Sequence, residues 1–353
     1  MAIIERADTP SNTNPKSKIQ NPKSSAPAIV FDHVSKRFPG STHPAIDDVY
    51  LEVEAGHFVV LFGPSGCGKT TLMKLVNRLY EHDSGRVLVE GREANSFKVT
   101  DLRRRIGYVI QSTGLFPHMT VAENIATVPR LLGWDQAQID RRIDDLLDLI
   151  GLSPTEYRGR YPAQLSGGQQ QRVGLARAMA ADPSIMLMDE PFAAIDNITR
   201  RRLQDELLRI QGLVRKTILF VTHDIEEAIR LADKIAVMRQ GKLVQYDTPL
   251  QILSNPADPF VADLVGSEDV LRRLSLLNVQ SVMSPAQGPA SDPSAPTLPP
   301  TATLREALNI LLSINTNALT ILDNENNPIG TLDLEAIKRA TDEGRRTKDE
   351  GRK

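Results

Sequence analysis

The feature that most constrains this chain is a glycine-rich loop at residues 63–70, which reads GPSGCGKT and follows the apolar run 58–62. It fits the pattern G-x-x-x-x-G-K-[ST], in which a buried parallel strand ends in a loop and the loop opens a helix. Main-chain N–H groups of such a loop and the positive end of the helix face one place, which suits a phosphate group. Because short apolar strands also alternate with helical patterns along the chain, the loop predicts an α/β core.

Each position of this loop has a predicted task at the phosphates of ATP. Glycines at 63, 66 and 68 allow N–H groups to turn toward the β-phosphate. Lys69 is expected to reach the β- and γ-oxygens, and the hydroxyl of Thr70 to ligate Mg²⁺. Cys67 is interpreted as a small residue that fits the loop, and the alternative for the whole segment is a glycine-rich turn with an incidental lysine. The residues predicted to contact ATP here are Gly63, Ser65, Gly66, Cys67, Gly68, Lys69, Thr70 and Thr71.

A second candidate anion site is the segment 165–169, which reads LSGGQ. Ser166 and Gln169 have the spacing of a capping box, so a helix is predicted to begin there. Gly167 and Gly168 would leave the N–H groups of its first turn exposed. Because one nucleotide hardly needs both anion sites of one protomer, we expect a head-to-tail homodimer, in which these four residues contact the γ-phosphate held by the partner. The alternative is a capped helix without a ligand.

Three further polar residues are predicted to stand where core strands end. Asp189 and Glu190 follow the apolar run 185–188, and His223 follows the run 217–221. Ligands gather at the carboxyl ends of strands in open α/β sheets. Asp189 is therefore expected to hold Mg²⁺ through water, Glu190 to act as general base for the attacking water, and His223 to sense the γ-phosphate. The alternatives are an acidic pair that opens a surface loop and a structural histidine.

In this order along the chain, the segments resemble the ATP-binding-cassette (ABC) ATPases over about residues 28–265. The resemblance implies that Phe38 stacks on adenine, that Gln111 contacts Mg²⁺ or water and couples to a membrane partner, and that Asp196 completes the nucleotide site. The resulting catalytic candidates are Glu190, His223 and Gln111, and the candidate Mg²⁺ ligands are Thr70, Gln111 and Asp189.

Within this superfamily, the segments 106–125, 128–132 and 244–249 resemble the ATPases of osmoprotectant importers for glycine betaine, carnitine, choline or proline betaine. This resemblance implies two integral-membrane permease subunits, an extracytoplasmic substrate-binding protein, and a peripheral position at the cytoplasmic face of the cell (inner) membrane. Leu115 and Phe116 are interpreted either as core residues or as a docking surface for the permease. The alternatives for function are an importer ATPase for another small solute, such as an amino acid, and a soluble ABC ATPase in translation or DNA repair.

The predicted organisation has five parts. They are a disordered tail at 1–27, the ABC ATPase domain at 28–265, a linker at 266–300, a small α+β unit at 301–340 and a charged tail at 341–353. The first domain is predicted to be an α/β P-loop NTPase core of the ABC type, with an inserted helical subdomain at about 112–180. The unit at 301–340 resembles a single cystathionine-β-synthase-type (CBS) repeat, for which ligand sensing, pairing across the dimer and a plain dimerisation role remain open.

The composition of the chain bears on its binding partners and on its location in the cell. The formal net charge is -2 with 24% charged residues, so no strong field indicates binding to nucleic acid. No apolar run approaches the length needed to span a bilayer, and the first residues lack the pattern of a signal peptide. The single cysteine excludes an internal disulfide and favours the cytosol.

Overall fold

The chain folds into a large α/β cassette followed by a small C-terminal unit. The computed structural model describes residues 26–111, 114–193, 195–267, 269–285, 296–314, 316–323 and 325–340. The strands of the cassette are β1 (Pro27–Lys36), β2 (Ile46–Glu54), β3 (Phe58–Phe62), β4 (Ser84–Val89), β5 (Arg92–Glu93), β6 (Ile106–Val109), β7 (Ile185–Asp189), β8 (Thr217–Thr222), β9 (Lys234–Arg239) and β10 (Lys242–Asp247). Its helices are α1 (Lys69–Val76), α2 (Val99–Arg105), α3 (Val121–Leu131), α4 (Gln136–Leu149), α5 (Pro154–Tyr157), α6 (Gly167–Met179), α7 (Asn197–Val214), α8 (Ile225–Leu231), α9 (Pro249–Ser254) and α10 (Pro259–Val265).

The centre of the cassette is a six-stranded sheet in the order β10-β9-β3-β8-β7-β6. β6, β7, β8, β3 and β9 run parallel, and β10 pairs antiparallel with β9 at one edge. Every residue of β3 and β8 is buried, because both faces of the sheet are covered. This explains why these strands read as continuous apolar runs, and it confirms the predicted α/β core.

A second, antiparallel sheet covers one face of the central sheet. Its order is β2-β1-β4-β5, and the burial of β2 alternates along the strand, as expected for a half-buried strand. Phe31 and Val34 of β1 pack in one core with Leu61 of β3 and Leu72 of α1. The strand β1 begins at Pro27, the last residue of the range predicted as a tail, and residues 1–25 lie outside the described part of the chain.

Helices α3 to α6 form the inserted helical subdomain predicted at about 112–180. The apolar face of α4 (Ile139, Ile143, Leu146 and Leu147) is buried, and it shares a core with β3 and α6. The helix α3 begins with a capping box, in which the side chain of Thr120 accepts a hydrogen bond from the backbone N–H of Glu123. Among the described residues, no helix combines the length and the apolar character needed to cross a membrane.

The C-terminal unit is a four-stranded sheet with helices. Its elements are α11 (Val270–Leu274), β11 (Ser284–Pro285), β12 (Thr297–Leu298), α12 (Leu304–Ile314), β13 (Ala318–Leu322), β14 (Pro328–Asp333) and a helix α13 at residues 334–340. The strand order is β11-β14-β13-β12. The unit predicted at 301–340 therefore has the order helix, strand, strand and helix from α12 to α13, and α12 opens with a capping box of Thr303 and Glu306.

The prediction of a linker at 266–300 is wrong for part of that range. Leu274 of α11 and Val279 are buried in the core of the C-terminal unit, together with Leu304 and Leu319. The unit therefore begins near residue 270. The prolines, the serines and the single glycine of 284–300 suggested a loop, whereas α11 has only five residues, too short a segment for a helical period to be recognised. Residues 286–295 and the predicted charged tail 341–353 lie outside the described part of the chain.

Candidate active site

At two positions of the loop that follows β3, the backbone conformation is one that only glycine readily adopts. Gly63 has φ 154° and Gly68 has φ 110°, both outside the range that other residues readily adopt. A Cβ at Gly63 would lie 2.4 Å from the carbonyl oxygen of Met238, and a Cβ at Gly68 would lie 2.4 Å from that of Ala45. The loop is thus fixed against β2 and β9, and its N–H groups are held at the start of α1.

Lys69 places a cation inside this loop. The residue is only 5% exposed, and its Nζ donates hydrogen bonds to the carbonyl oxygens of Gly63 at 2.7 Å and of Pro64 at 3.0 Å. The neighbouring thiol of Cys67 is buried, and this burial raises its pKa. Cys67 is therefore held as a neutral thiol, which agrees with its interpretation as a small residue that fits the loop.

Thr70 and Asp189 meet at the end of β7. The hydroxyl of Thr70 donates to Oδ1 of Asp189 at 2.8 Å, and Nζ of Lys74 lies 3.9 Å from Oδ2. Burial raises the pKa of Asp189, and burial together with the charge of Asp189 raises the pKa of Tyr108 to about 12. Sequence reasoning missed Lys74, although its position four residues after Thr70 on α1 places both side chains on one helix face.

The two oxygen-bearing side chains fit the predicted Mg²⁺. This ion takes oxygen ligands, and proteins commonly hold it by one or two side chains while phosphates and waters fill its other positions. Thr70 and Asp189 offer one hydroxyl and one carboxylate within hydrogen-bond distance of each other. Gln111, the third predicted ligand, is exposed after the end of β6, and the hydroxyl of Thr70 bonds to Asp189 rather than to Gln111.

Glu190 and His223 also meet, because β7 and β8 are parallel neighbours whose carboxyl ends lie side by side. Nδ1 of His223 lies 3.1 Å from Oε2 of Glu190, and the N–H of Glu190 donates to the carbonyl of Val221 at 3.1 Å. Glu190 has φ 43°, an unusual backbone conformation for a residue with a side chain. Such strain costs about 1–3 kcal/mol and is concentrated at functional sites.

The segment 166–169 forms the predicted capping box at the start of α6. The hydroxyl of Ser166 accepts from the N–H of Gln169 at 3.3 Å, and Oε1 of Gln169 accepts from the N–H of Ser166 at 2.9 Å. A surface cavity of about 280 Å³ adjoins Ser166, Gly168 and Gln169. Its lining residues come from the start of α6 and from α7, and none comes from the loop 63–70. The cavity beside the second candidate anion site is therefore formed without the loop of the first.

The structure places two residues implied by the ABC resemblance in local contacts. Phe38 is half-buried, and its ring meets the ring of Tyr80 edge-on at 5.1 Å between centroids. Asp196 caps α7, since its carboxylate accepts from the N–H of Thr199 at 3.0 Å, and this hydrogen bond lowers its pKa. Tyr80 was not predicted to belong to the site.

Sequence reasoning also missed Gln171. This side chain of α6 is buried, and its Nε2 donates to the carbonyl oxygen of Pro191 at 2.5 Å. It therefore ties α6 to the residue that follows Glu190. A glutamine in a polar helix segment reads as a surface residue, so the sequence alone carries no signal for this contact.

Comparison with known proteins agrees with this geometry. A family model described as ABC transporter matches residues 46–193. The glycine betaine uptake system ATP-binding protein YehX of Escherichia coli (strain K12) is 47% identical over 310 residues, which cover 88% of this chain and 98% of that protein. The sulfate/thiosulfate import ATP-binding protein CysA of Synechococcus elongatus is 45% identical over 250 residues, 71% of each chain.

Among solved structures, the chain is similar to a dimeric, post-hydrolysis state of the ATP-binding cassette MJ0796 bound to ADP and Pi. The identity is 30% and the TM-score 0.56, with 63% of this chain and 98% of that chain covered. The fold and the arrangement at the strand ends thus define an ABC-type ATPase.

Relatives that are named for osmoprotectant, glycine betaine, choline or carnitine import are 43–47% identical over 86–88% of the chain. The chain belongs to this family of ABC transporter ATP-binding proteins. It is an ATPase whose hydrolysis of ATP is coupled to transport.

Proposed function

We propose that this chain powers the import of a quaternary-amine osmoprotectant, of the glycine betaine or choline type, through a separate membrane permease. The observation that carries the proposal is the extent of the similarity. The match to YehX runs over 310 residues, longer than the whole cassette, so it takes in part of the C-terminal unit. The match to the sulfate/thiosulfate protein runs over 250 residues at nearly the same identity. Similarity of the cassette alone therefore does not distinguish an osmoprotectant importer from a sulfate importer. Similarity that extends into the C-terminal unit favours the osmoprotectant importers.

In this proposal the loop 63–70 holds the triphosphate of ATP. Lys69 contacts the β- and γ-phosphates, and the glycine N–H groups surround the β-phosphate. Thr70 and Asp189 hold Mg²⁺, with Gln111 as a further ligand or water contact, and the ion would neutralise charge on the phosphates. Phe38 stacks on adenine, and its contact with Tyr80 supports this role by fixing the ring.

Glu190 is the proposed general base for the attacking water, and His223 is the proposed contact to the γ-phosphate. The hydrogen bond between them supports both roles, because each fixes the orientation of the other. The positive φ of Glu190 sets its side chain at the end of β7 beside Asp189.

The complete site is proposed to need two copies of the chain. ATP held by the loop of one copy would meet residues 166–169 and Asp196 of the other. Two observations support this arrangement. The segment 166–169 borders a surface cavity that no residue of the loop 63–70 lines, and the similar cassette MJ0796 is dimeric.

Transmission to two permease subunits is proposed to use the surface around Phe116. A groove of about 300 Å³ there is lined by residues of α2, β6, α3 and α6, by Gly114 and Phe116, and by two residues after α6. Phe116 is 40% exposed, and Arg177 donates to the carbonyl of Gly114 at 2.6 Å. Leu115, by contrast, packs partly against the main core, so the docking proposal rests on Phe116. The chain would then act at the cytoplasmic face of the inner membrane, with an extracytoplasmic binding protein delivering the solute to the permease.

The test is uptake of labelled glycine betaine and choline after a salt upshift. Cells that lack this gene and redundant uptake systems are complemented with the wild-type chain or with Glu190→Gln. We expect the wild type alone to restore uptake. Equal uptake in the deletion and the complemented strains would exclude quaternary-amine osmoprotectants as substrates. Uptake of labelled sulfate and amino acids, measured in the same strains, tests the alternative substrates.

A further inference from the structure

We propose that the half-buried Arg200 and the buried Glu227 form a positioning pair that ties the loop carrying Asp196 to the loop carrying His223, so that the two loops move together. The proposal rests on the proposed function, because it is that proposal which assigns Asp196 and His223 to the nucleotide site. Neither Arg200 nor Glu227 is expected to touch ATP.

The guanidinium of Arg200 contacts both loops. From α7, its Nη2 donates to the carbonyl oxygen of Ile195 at 2.9 Å, next to Asp196. Its Nη1 donates to the carboxylate of Asp224 at 3.3 Å, next to His223. The guanidinium is planar and presents its donors in a fixed fork, so it holds these two acceptors in one geometry.

Glu227 completes the pair from α8. The residue is 5% exposed, and its Oε1 lies 3.8 Å from Nε of Arg200. Its Oε2 accepts from the hydroxyl of Thr222 at 2.7 Å, and its Oε1 accepts from Nε2 of Gln204 at 3.3 Å. Burial raises the pKa of Glu227, so the contacts with Arg200 and Thr222 are what favour its ionised form.

Thr222 carries the connection to the backbone of the His223 loop. Its hydroxyl donates to Glu227 and accepts from the N–H of Asp224 at 3.0 Å. The residues on both sides of His223 are therefore bonded to the Arg200–Glu227 pair. Moving the loop of Asp196 alone would break the hydrogen bond from Arg200 to Ile195. Moving the loop of His223 alone would break the hydrogen bonds from Arg200 to Asp224 and from Thr222 to the buried carboxylate of Glu227, and a buried charged group that loses its partners is costly. We expect the loops to shift as one body when ATP is bound or hydrolysed.

The structure offers a matched control in a second ion pair between the same helices. Arg230 of α8 bonds to Asp205 of α7 at the surface. Within the described part of the chain, neither residue has a hydrogen bond or an ion pair to the two loops. Arg230→Met removes an α7–α8 ion pair without touching the proposed connection. Arg200→Met removes the connection, Glu227→Gln keeps its shape without its charge, and Arg200→Lys keeps the charge without the fork.

The experiment uses the purified full-length chain with each variant and the Arg200→Met/Glu227→Gln double variant. A fluorescent methylanthraniloyl-ATP measures the Kd of the single chain, and phosphate release measures kcat. We expect Arg200→Met and Glu227→Gln to keep Kd within about twofold and to lose about tenfold to a hundredfold in kcat, as misplaced catalytic groups do. Arg200→Lys should recover only part of the loss, and the double variant should lose no more than the worse single variant.

Several results would overturn the proposal. They are an unchanged kcat in Arg200→Met, an equal loss in Arg230→Met, or a double variant whose loss is the product of the two single losses. If Arg200→Met does not fold, the Kd and kcat of Glu227→Gln and Arg200→Lys, compared with those of Arg230→Met, test the proposal instead.

Glu190→Gln, measured in parallel, separates this proposal from the proposed function. Normal turnover in that variant would overturn the assignment of the site and the positioning pair with it. A slow Glu190→Gln together with full activity in Arg200→Met would overturn the positioning pair alone.

Discussion

At the scale of single residues, the site depends on glycines whose hydrogen atoms face other main-chain atoms. The clearest case is Gly68, the residue before α1. A Cβ there would lie 2.4 Å from the carbonyl oxygen of Ala45 and 2.9 Å from Cδ1 of Ile46. Gly66, two residues earlier, also has a positive φ, yet nothing lies within 4 Å of an added Cβ. A side chain at position 66 would therefore suffer backbone strain alone, whereas a side chain at position 68 would suffer both backbone strain and a steric clash.

We predict that Gly68→Ala lowers the free energy of unfolding by about 2–4 kcal/mol and abolishes ATP binding, because the loop must move away from β2. Gly66→Ala should cost only about 1–2 kcal/mol, the strain of a side chain in the left-handed region. Urea unfolding and a fluorescent-ATP titration measure the two effects. Equal losses in the two variants would contradict the proposed packing of the loop.

Asp189 illustrates a conflict between stability and function. Burial raises its pKa in the folded chain, so the folded state binds a proton there more readily than the unfolded state. The contribution of this group to the free energy of unfolding therefore falls as the pH rises from the unfolded pKa through the folded pKa. At neutral pH the unfavourable contribution is fully present, and below the unfolded pKa it is absent.

We predict that Asp189→Asn abolishes ATP hydrolysis and stabilises the fold at neutral pH by about 1 kcal/mol, a size typical of relieved active-site strain. Asparagine keeps an oxygen that can accept from Thr70. Thermal unfolding as a function of pH is the measurement, and the gain should disappear in acid. A variant that is less stable than the wild type at neutral pH would show that Lys74 and Thr70 outweigh the cost of burial.

At the scale of secondary-structure elements, the sequence predicted the buried strands and the capped helices well. β3, β7, β8 and β9 lie on continuous apolar runs, and the spacing of Ser166 and Gln169 predicted the start of α6. These signals are local, so a single sequence carries them.

The features that the sequence did not predict are contacts between segments that lie far apart along the chain. The contact of Gln171 with Pro191, the Arg200–Glu227 pair and the Phe38–Tyr80 contact each join residues from different elements. The short helix α11 was missed for the same reason. Its one buried apolar residue, Leu274, becomes a core residue only through packing against the C-terminal unit.

The corrected start of the C-terminal unit gives a prediction for α11. Leu274→Ala should lower the unfolding free energy of the C-terminal unit by about 2–4 kcal/mol, because it leaves a cavity in its core. Leu312→Ala on α12 removes an equally large side chain that is 67% exposed, and it should change stability by less than about 0.5 kcal/mol. The measurement is calorimetric unfolding of the full-length chain, in which the transition of the C-terminal unit is compared between the two variants. A harmless Leu274→Ala would restore the interpretation of this region as a linker.

At the scale of the whole molecule, the proposed function assigns the loop 63–70 and the segment 166–169 of one chain to two different ATP molecules. Each segment opens a helix, and the cavity beside 166–169 is lined by residues of that segment, α6 and α7. A second copy in head-to-tail orientation would pair each loop with the other copy's segment. The C-terminal unit joins the cassette next to α8, through the ion pair of Arg272 with Glu226. It therefore attaches close to the loop that carries His223.

The most direct test is the mass of the Glu190→Gln chain in the presence of Mg²⁺ and ATP, measured by light scattering with bound nucleotide counted. We expect a stable dimer with two ATP and very slow hydrolysis, since ATP would join the two copies and the base would be missing. Adding Ser166→Arg should give monomers that each still hold one ATP. A Glu190→Gln chain that stays monomeric with ATP bound, or that hydrolyses ATP at the wild-type rate, would contradict the proposed function.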